Sequence, residues 1–66
     1  MQVFAISTET EFPGCPAGSI VEVLLARDDL NLDDFIQMHH RSFVWVKLGE
    51  EVFIMEKRKL KNFWIV

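Results

Sequence analysis

The feature that most constrains the fold is a pair of apolar segments that meet at a single glycine. Residues 42–48 (SFVWVKL) and 51–56 (EVFIME) are rich in β-branched and aromatic residues, and only Gly49 and Glu50 separate them. Two such segments joined by two residues predict a β-hairpin. Glycine at the first central position suits a type II′ turn, because that position needs a positive φ that glycine adopts at little cost.

A two-residue turn also predicts which residues face each other across the hairpin. The predicted pairs are Leu48–Glu51, Val46–Phe53, Trp45–Ile54, Val44–Met55 and Phe43–Glu56. Because side chains alternate between the faces of a strand, one face carries Val44, Val46, Leu48, Phe53 and Met55, which we expect in the core. The opposite face carries Phe43, Trp45, Val52 and Ile54. A one-residue change of register or turn length would exchange the two faces.

The rest of the chain predicts three more strands and one short helix. Strands near 2–7, 19–26 and 62–66 would join the hairpin strands near 42–48 and 51–57, with a helix near 32–39. The segment between the first two strands holds both prolines and should form a loop with a tight turn. The nearly continuous apolar run that follows it is typical of a central strand.

The helix prediction depends on a cap and one apolar stripe. Asn31 is a good N-cap residue, and Leu32, Phe35, Ile36 and His39 follow the i, i+3, i+4, i+7 spacing of a helix face. A helix this short is unstable alone. We therefore expect it to dock on the sheet and to cover part of the second hairpin face.

Together these elements predict a mainly β domain with one short helix over residues 1–66, either a small SH3-like barrel or a strongly bent antiparallel sheet of about five strands. The segment 17–23 (AGSIVEV) resembles the opening strand of SH3-like barrels, and 44–54 (VWVKLGEEVFI) with Leu60 resembles their central hairpin and closing turn. Many unrelated families share this pattern, so the resemblance implies a fold and no activity.

The high hydrophobic content and the short length favour a chain that folds and associates with a partner or a second copy. Of the 66 residues, 50% are hydrophobic, including six Phe and two Trp, which excludes intrinsic disorder. A chain of this length buries only about 60% of the surface its unfolded form exposes, so association with a partner or a second copy is favoured. A single cysteine, no visible signal peptide and no membrane-length apolar run predict a cytoplasmic protein without membrane contact.

The net charge of −3 is unevenly distributed. Residues 1–38 carry seven acids and one base (−6), whereas residues 39–66 carry six bases and three acids (+3). Such an asymmetry can orient a partner electrostatically. The interpretation we favour at this point is the simpler one, that these charges lie on ordinary solvated loops.

Candidate reactive residues are few. Cys15 could act as a nucleophile only with a base nearby, and its loop supplies acids instead. His39 and His40 are adjacent, so on a helix they point about 100° apart and are poorly placed to share a metal. Cys15 and the two histidines are also one ligand short of a structural zinc site. We expect no enzyme activity, no metal, no cofactor and no small-molecule substrate.

Two functions remain as hypotheses. The first is a small interaction module, an accessory subunit or regulator, that binds a protein partner or itself through Phe43, Trp45, Val52 and Ile54, with Trp45 as the main hot spot. The alternative is a nucleic-acid-binding module, since single-strand binders combine basic groups with stacking aromatics. Its candidate residues are Lys57, Arg58, Lys59, Lys61 and Trp64. The overall acidity of the chain opposes this alternative.

Overall fold

The computed structural model describes residues 2–25, 32–37 and 42–66. In chain order the elements are β1 (Val3–Ser7), β2 (Ile20–Leu24), α1 (Leu32–Gln37), β3 (Phe43–Leu48), β4 (Glu51–Glu56), a 3₁₀ turn (Lys57–Lys59) and β5 (Leu60–Ile65). The predicted order of five strands and one short helix is confirmed. The last strand begins two residues earlier than predicted, and the proposed cap Asn31 and the helix end at His39 lie outside the described residues.

All five strands form one antiparallel sheet in the order β4-β3-β2-β1-β5. The apolar run of β2 occupies the middle of this sheet, as its composition predicted. The sheet is open, with β4 and β5 as its two edges. The fold is therefore the bent-sheet form of the predicted architecture.

The connection between the two edge strands bends this sheet. In a flat sheet, strands four spacings apart would be separated by about 19 Å. The 3₁₀ turn that joins them advances the chain by only about 8 Å between Glu56 and Leu60. Its ends are hydrogen-bonded to the strands on either side: Lys57 N–H donates to Ser42 O and Thr8 N–H to Lys59 O, both at 2.8 Å. The sheet must therefore curve until its edges approach at this end.

The hairpin of β3 and β4 has the predicted register. All five predicted pairs are present, from Leu48–Glu51 at the turn to Phe43–Glu56 at the open end. Gly49 has φ +60°, whereas Glu50 is not among the described residues with positive φ. This is the φ pattern of a type II′ turn.

The core lies on the inner side of the bent sheet. The sheet contributes Val3, Ala5, Val21, Val23, Val44, Val46, Met55 and Leu60, all buried. The loop between β1 and β2 adds Cys15, and α1 adds Phe35. Phe12 closes this side with an edge-to-face contact to Phe53, their ring centroids 4.9 Å apart. A core assembled from short β-branched residues suits a sheet that curves around it.

A β-bulge at Asn62 determines which way the last strand presents its side chains. β1 pairs with β5 at Ile6–Lys61 and Phe4–Trp64, so one residue of β1 lies opposite two of β5. Asn62, with φ 55°, is the only described non-glycine residue with positive φ. Asparagine tolerates this conformation better than most residues. Because of the extra residue, Phe63 packs against the core while Trp64 lies on the opposite face beside Phe4.

Replacing Gly49 with valine should destabilise the protein by about 1–3 kcal/mol, because a β-branched side chain is strained at φ +60° even though the surrounding space is open. For a domain of this size that corresponds to a fall in Tm of roughly 5–20 °C, measurable by thermal denaturation. Glu50→Val is the matched control, since it places the same side chain at the adjacent turn position. Equal melting temperatures for the two variants would show that the turn is not of this type.

The bulge makes a second prediction. Asn62→Gly should leave the free energy of unfolding nearly unchanged, whereas Asn62→Val should lower it by about 1–2 kcal/mol, since only glycine and short polar residues accept positive φ readily. Urea denaturation of both variants tests this. If valine were tolerated as well as glycine, residue 62 would not adopt a positive φ and the bulge would not have this geometry.

Candidate interaction surface

The four residues predicted as a binding surface lie together on the outer side of the hairpin. We call this set the outer apolar face: Phe43, Trp45, Val52 and Ile54, which are 63%, 55%, 52% and 52% exposed. Trp45 pairs directly with Ile54 across the two strands. Their inward neighbours Val44, Val46 and Met55 are buried, so the assignment of core and outer faces made from the sequence is confirmed.

Apolar residues continue from this face across the outer side of the sheet. One cross-strand row runs through Val52, Lys47, Glu22, Phe4 and Trp64, since each of these residues pairs with the next. The rings of Phe4 and Trp64 stack with centroids 5.7 Å apart. Lys47 and Glu22 place one positive and one negative side chain in the middle of the row. The outer side is therefore largely apolar and carries a neutral pair at its centre.

Two further outer residues were missed by the sequence analysis. Ile20 at the start of β2 is 56% exposed, and Leu24 at its end pairs with Trp45. The continuous apolar run of β2 indicated a central strand, which it is, but gave no sign that one side lacks a cover. The one signal present in the sequence was Glu22, the single charged residue in this run, which lies on the same outer side as Ile20 and Leu24.

The helix does not cover the outer apolar face, contrary to our expectation. Phe35 points into the core, where its ring meets Phe63 edge-to-face with centroids 5.4 Å apart. Ile36 is exposed. The other members of the predicted stripe, the side chain of Leu32 and all of His39, lie outside what the structure describes. The helix lies on the inner side of the sheet because burying Phe35 there extends the core.

The basic residues proposed for nucleic-acid binding do not form one surface. Lys57 is buried, and its Nζ donates a hydrogen bond of 2.5 Å to Ile36 O in the last turn of α1. The same ammonium lies 5.5 Å from the centroid of the Phe35 ring. A cation at a helix C-terminus interacts favourably with the exposed carbonyls. Burial lowers the pKa of the Lys57 ammonium from its ordinary value of 10.5. Lys57 therefore attaches the helix to the sheet.

The next two basic residues are neutralised by acids of the same chain. The Arg58 guanidinium donates a 2.5 Å hydrogen bond to Glu56, while Lys59 Nζ lies 3.5 Å from Glu9 and 3.6 Å from Glu11. Acids from the negative first half thus pair with a base from the positive second half. This accounts for part of the charge asymmetry without any partner.

Lys61 and Trp64 complete the set proposed for nucleic acid, and both lie on the outer side of the sheet. Lys61 pairs with Ile6, and Trp64 stacks on Phe4. Lys61 is thus the one member of the basic set that shares a face with Trp64. A single cation beside one aromatic provides little of the phosphate neutralisation that nucleic-acid binding needs.

Cys15 is a core residue and not an exposed thiol. It is fully buried, and its backbone bonds to the loop itself: Cys15 N–H donates to Phe12 O at 2.8 Å and Cys15 O accepts from Glu11 N–H at 3.0 Å. His39 and His40, weighed with it as metal ligands or bases, lie outside the described residues. Within residues 2–25, 32–37 and 42–66, no group of three or more potential metal ligands is found.

In the part of the chain that the structure describes, no helix has the length and apolar character needed to cross a membrane. Comparison of the chain with protein-family models, with curated proteins and with solved structures finds no match.

The ion pairs around the 3₁₀ turn make a pH-dependent prediction. The hydrogen bond from Arg58 holds the pKa of the Glu56 carboxyl below its ordinary value of 4.5. A carboxyl with a lowered folded-state pKa stabilises the fold above its unfolded pKa, and this contribution is lost as the pH falls through the folded value. Stability should therefore decline below about pH 4.5.

Glu56→Gln is the matched variant for this prediction, because it keeps the shape of the side chain and removes the titration. Denaturant midpoints measured from pH 7 to pH 2 should fall less steeply for the variant than for the wild type. Parallel curves would show that the Glu56–Arg58 pair makes no contribution to stability.

Proposed function

We propose that this protein is a non-catalytic interaction module, an accessory subunit or regulator, that binds a protein partner through the outer apolar face. The observation that carries the proposal is the exposure by more than half of four large apolar side chains on two regular, paired strands. Contiguous apolar surface of this kind is uncommon on monomers and often marks a binding site. A cytoplasmic location is part of the proposal, because a single free cysteine suits a reducing compartment.

Burial of the outer apolar face would supply part of the free energy of binding. Full burial of one large apolar side chain stabilises by about 1.5–3 kcal/mol, so covering the exposed half of four of them contributes roughly 3–6 kcal/mol. Because the residues lie on hydrogen-bonded strands, the backbone needs little ordering on binding, and less of this energy is lost to entropy. The neighbouring outer residues Leu24 and Ile20 extend the contact.

The charges near the outer apolar face favour a protein over a nucleic acid. The turn beside this face carries Glu50 and Glu51, Glu56 is paired with Arg58, and Lys47 is the one base on the hairpin strands. An acidic rim repels phosphates and attracts basic side chains. The partner we propose therefore presents apolar residues flanked by Lys or Arg.

Trp45 should be the hot spot of this interface. It lies between Ile54 on β4 and Leu24 on β2, so a partner seated on the face would surround it with apolar neighbours. Trp45→Ala should weaken binding by about 2 kcal/mol or more, which is roughly thirtyfold in affinity, while the melting temperature changes little because the indole is more than half exposed.

Affinity capture from native cells, followed by quantitative mass spectrometry, tests this proposal. Wild type and Lys47→Ala, an outer-face control that keeps the apolar residues, should retain a common protein that Trp45→Ala loses. The purified partner should then reproduce the affinity difference by calorimetry. If every retained protein binds Trp45→Ala as tightly as the wild type, the outer apolar face is not the binding surface.

A further inference from the structure

The outer edge of β4 exposes backbone groups next to the outer apolar face. Lys57 N–H donates to Ser42 O, and in an antiparallel pair such hydrogen-bonded positions alternate with positions that face away from the partner strand. Counting back along β4, Met55 and Phe53 therefore bond to β3, whereas the N–H and C=O groups of Ile54 and Val52 point outward. No described residue pairs with this side of β4.

Between the glutamates at its two ends, this edge lacks the proline, lysine and bulge that often prevent strands from pairing with other chains. β4 is six residues long and has no proline, no lysine and no bulge in its pairing with β3. The other edge of the sheet, β5, has both Lys61 and the bulge at Asn62. Bulges and lysines protect edge strands, and a regular apolar edge without them is a template for a further strand.

We infer that β4 pairs antiparallel with β4 of a second copy, joining two five-stranded sheets into one of ten strands around a two-fold axis. This inference rests on the proposed function. The partner at this edge is the same strand of a second molecule, held by main-chain hydrogen bonds. The residues whose backbone groups are free, Val52 and Ile54, also carry exposed apolar side chains, so pairing uses both at once.

Charge selects the register of this pairing. Outward-facing residues must meet outward-facing residues, so the two-fold axis can be centred on Phe53 or on Ile54. Centred on Phe53, it would bring Glu50 opposite Glu56 of the second copy, with like charges together. Centred on Ile54, it places Ile54 against its own copy and Val52 opposite Glu56, so that Glu50 and Glu56 do not meet. Avoiding this like-charge contact favours the second register, and the two-fold axis repeats the benefit at both ends of the interface.

The paired strands would also join the outer apolar faces of the two molecules. Trp45 lies directly beside Ile54 on its own hairpin, so the sequence Trp45, Ile54, Ile54, Trp45 would run unbroken across the new interface. The contact is one six-residue strand per molecule, which is smaller than a standard interface. The dimer should therefore have a dissociation constant in the micromolar range or above, so that the fraction of dimer rises with protein concentration.

Sedimentation equilibrium of the full chain, with two substitutions at one position, tests the inference. Ile54→Ala removes most of the side chain and keeps the backbone N–H. Ile54→Pro also removes this N–H, which would donate a hydrogen bond to a carbonyl of the second copy. Proline is compatible with an edge strand where its nitrogen faces outward. The dissociation constant should rise at least tenfold more for Ile54→Pro than for Ile54→Ala.

Amide hydrogen exchange of the unmodified protein provides a measurement that does not depend on the folding of a variant. The amides of Val52 and Ile54 should exchange fast in dilute solution and become protected as concentration rises, while Phe53 and Met55 are protected throughout. Equal exchange at both concentrations, or a wild type that is monomeric up to millimolar concentration, would overturn the second-copy inference.

The remaining outcomes separate this inference from the proposed function. If the wild type dimerises and Ile54→Pro dimerises as well as Ile54→Ala while Trp45→Ala does not, the copies meet through the outer apolar face and not the edge. If the wild type is monomeric and a different protein binds it but not Ile54→Pro, the edge receives a partner's strand. Both results reject the second copy on β4 and leave the interaction module intact.

Discussion

The three-residue connection between β4 and β5 is the constraint on which the rest of the structure depends. It joins strands at opposite edges of the sheet, so the sheet must bend toward one side. That side becomes the core, closed by the loop residues Phe12 and Cys15 and by Phe35 from the helix. With the loop and the described helix both used on the inner side, the outer side of the sheet is left to solvent or to a partner. The candidate interaction surface is thus a consequence of how a short chain closes its core.

Basic residues of the 3₁₀ turn help to hold this arrangement together. Lys57, which looks like part of a solvated basic segment in the sequence, is buried and attaches the helix through Ile36 O. Lys59 bridges acids of the first loop to the turn, with Glu11 among them. These contacts occupy the basic groups that a nucleic-acid site would need. The outer side of the hairpin strands keeps mainly apolar side chains between acidic ends.

Much of the hairpin could be predicted because two local rules agree. Gly49 specifies the turn, and strict alternation specifies the register, so Trp45 could be assigned to the outer face before the structure was known. The direction of Trp64 could not, because it depends on a one-residue bulge at Asn62 that pattern alone does not reveal. The helix was placed over the wrong face, since an apolar stripe such as that of Phe35 shows that a helix docks but not on which side.

The central claim is that Val52 and Ile54 are exposed on the isolated chain although Phe53 and Met55 of the same strand pack toward the core, with Met55 buried and Phe53 partly buried. Solvent paramagnetic relaxation of methyl groups, measured by NMR on dilute protein, tests it most directly. The account predicts strong relaxation enhancement at the Val52 and Ile54 methyls and little at Val46 and Val21, which are fully buried. Equal protection of both sets in a monomeric sample would show that the outer face is covered by its own chain, and the proposed interaction surface would not exist.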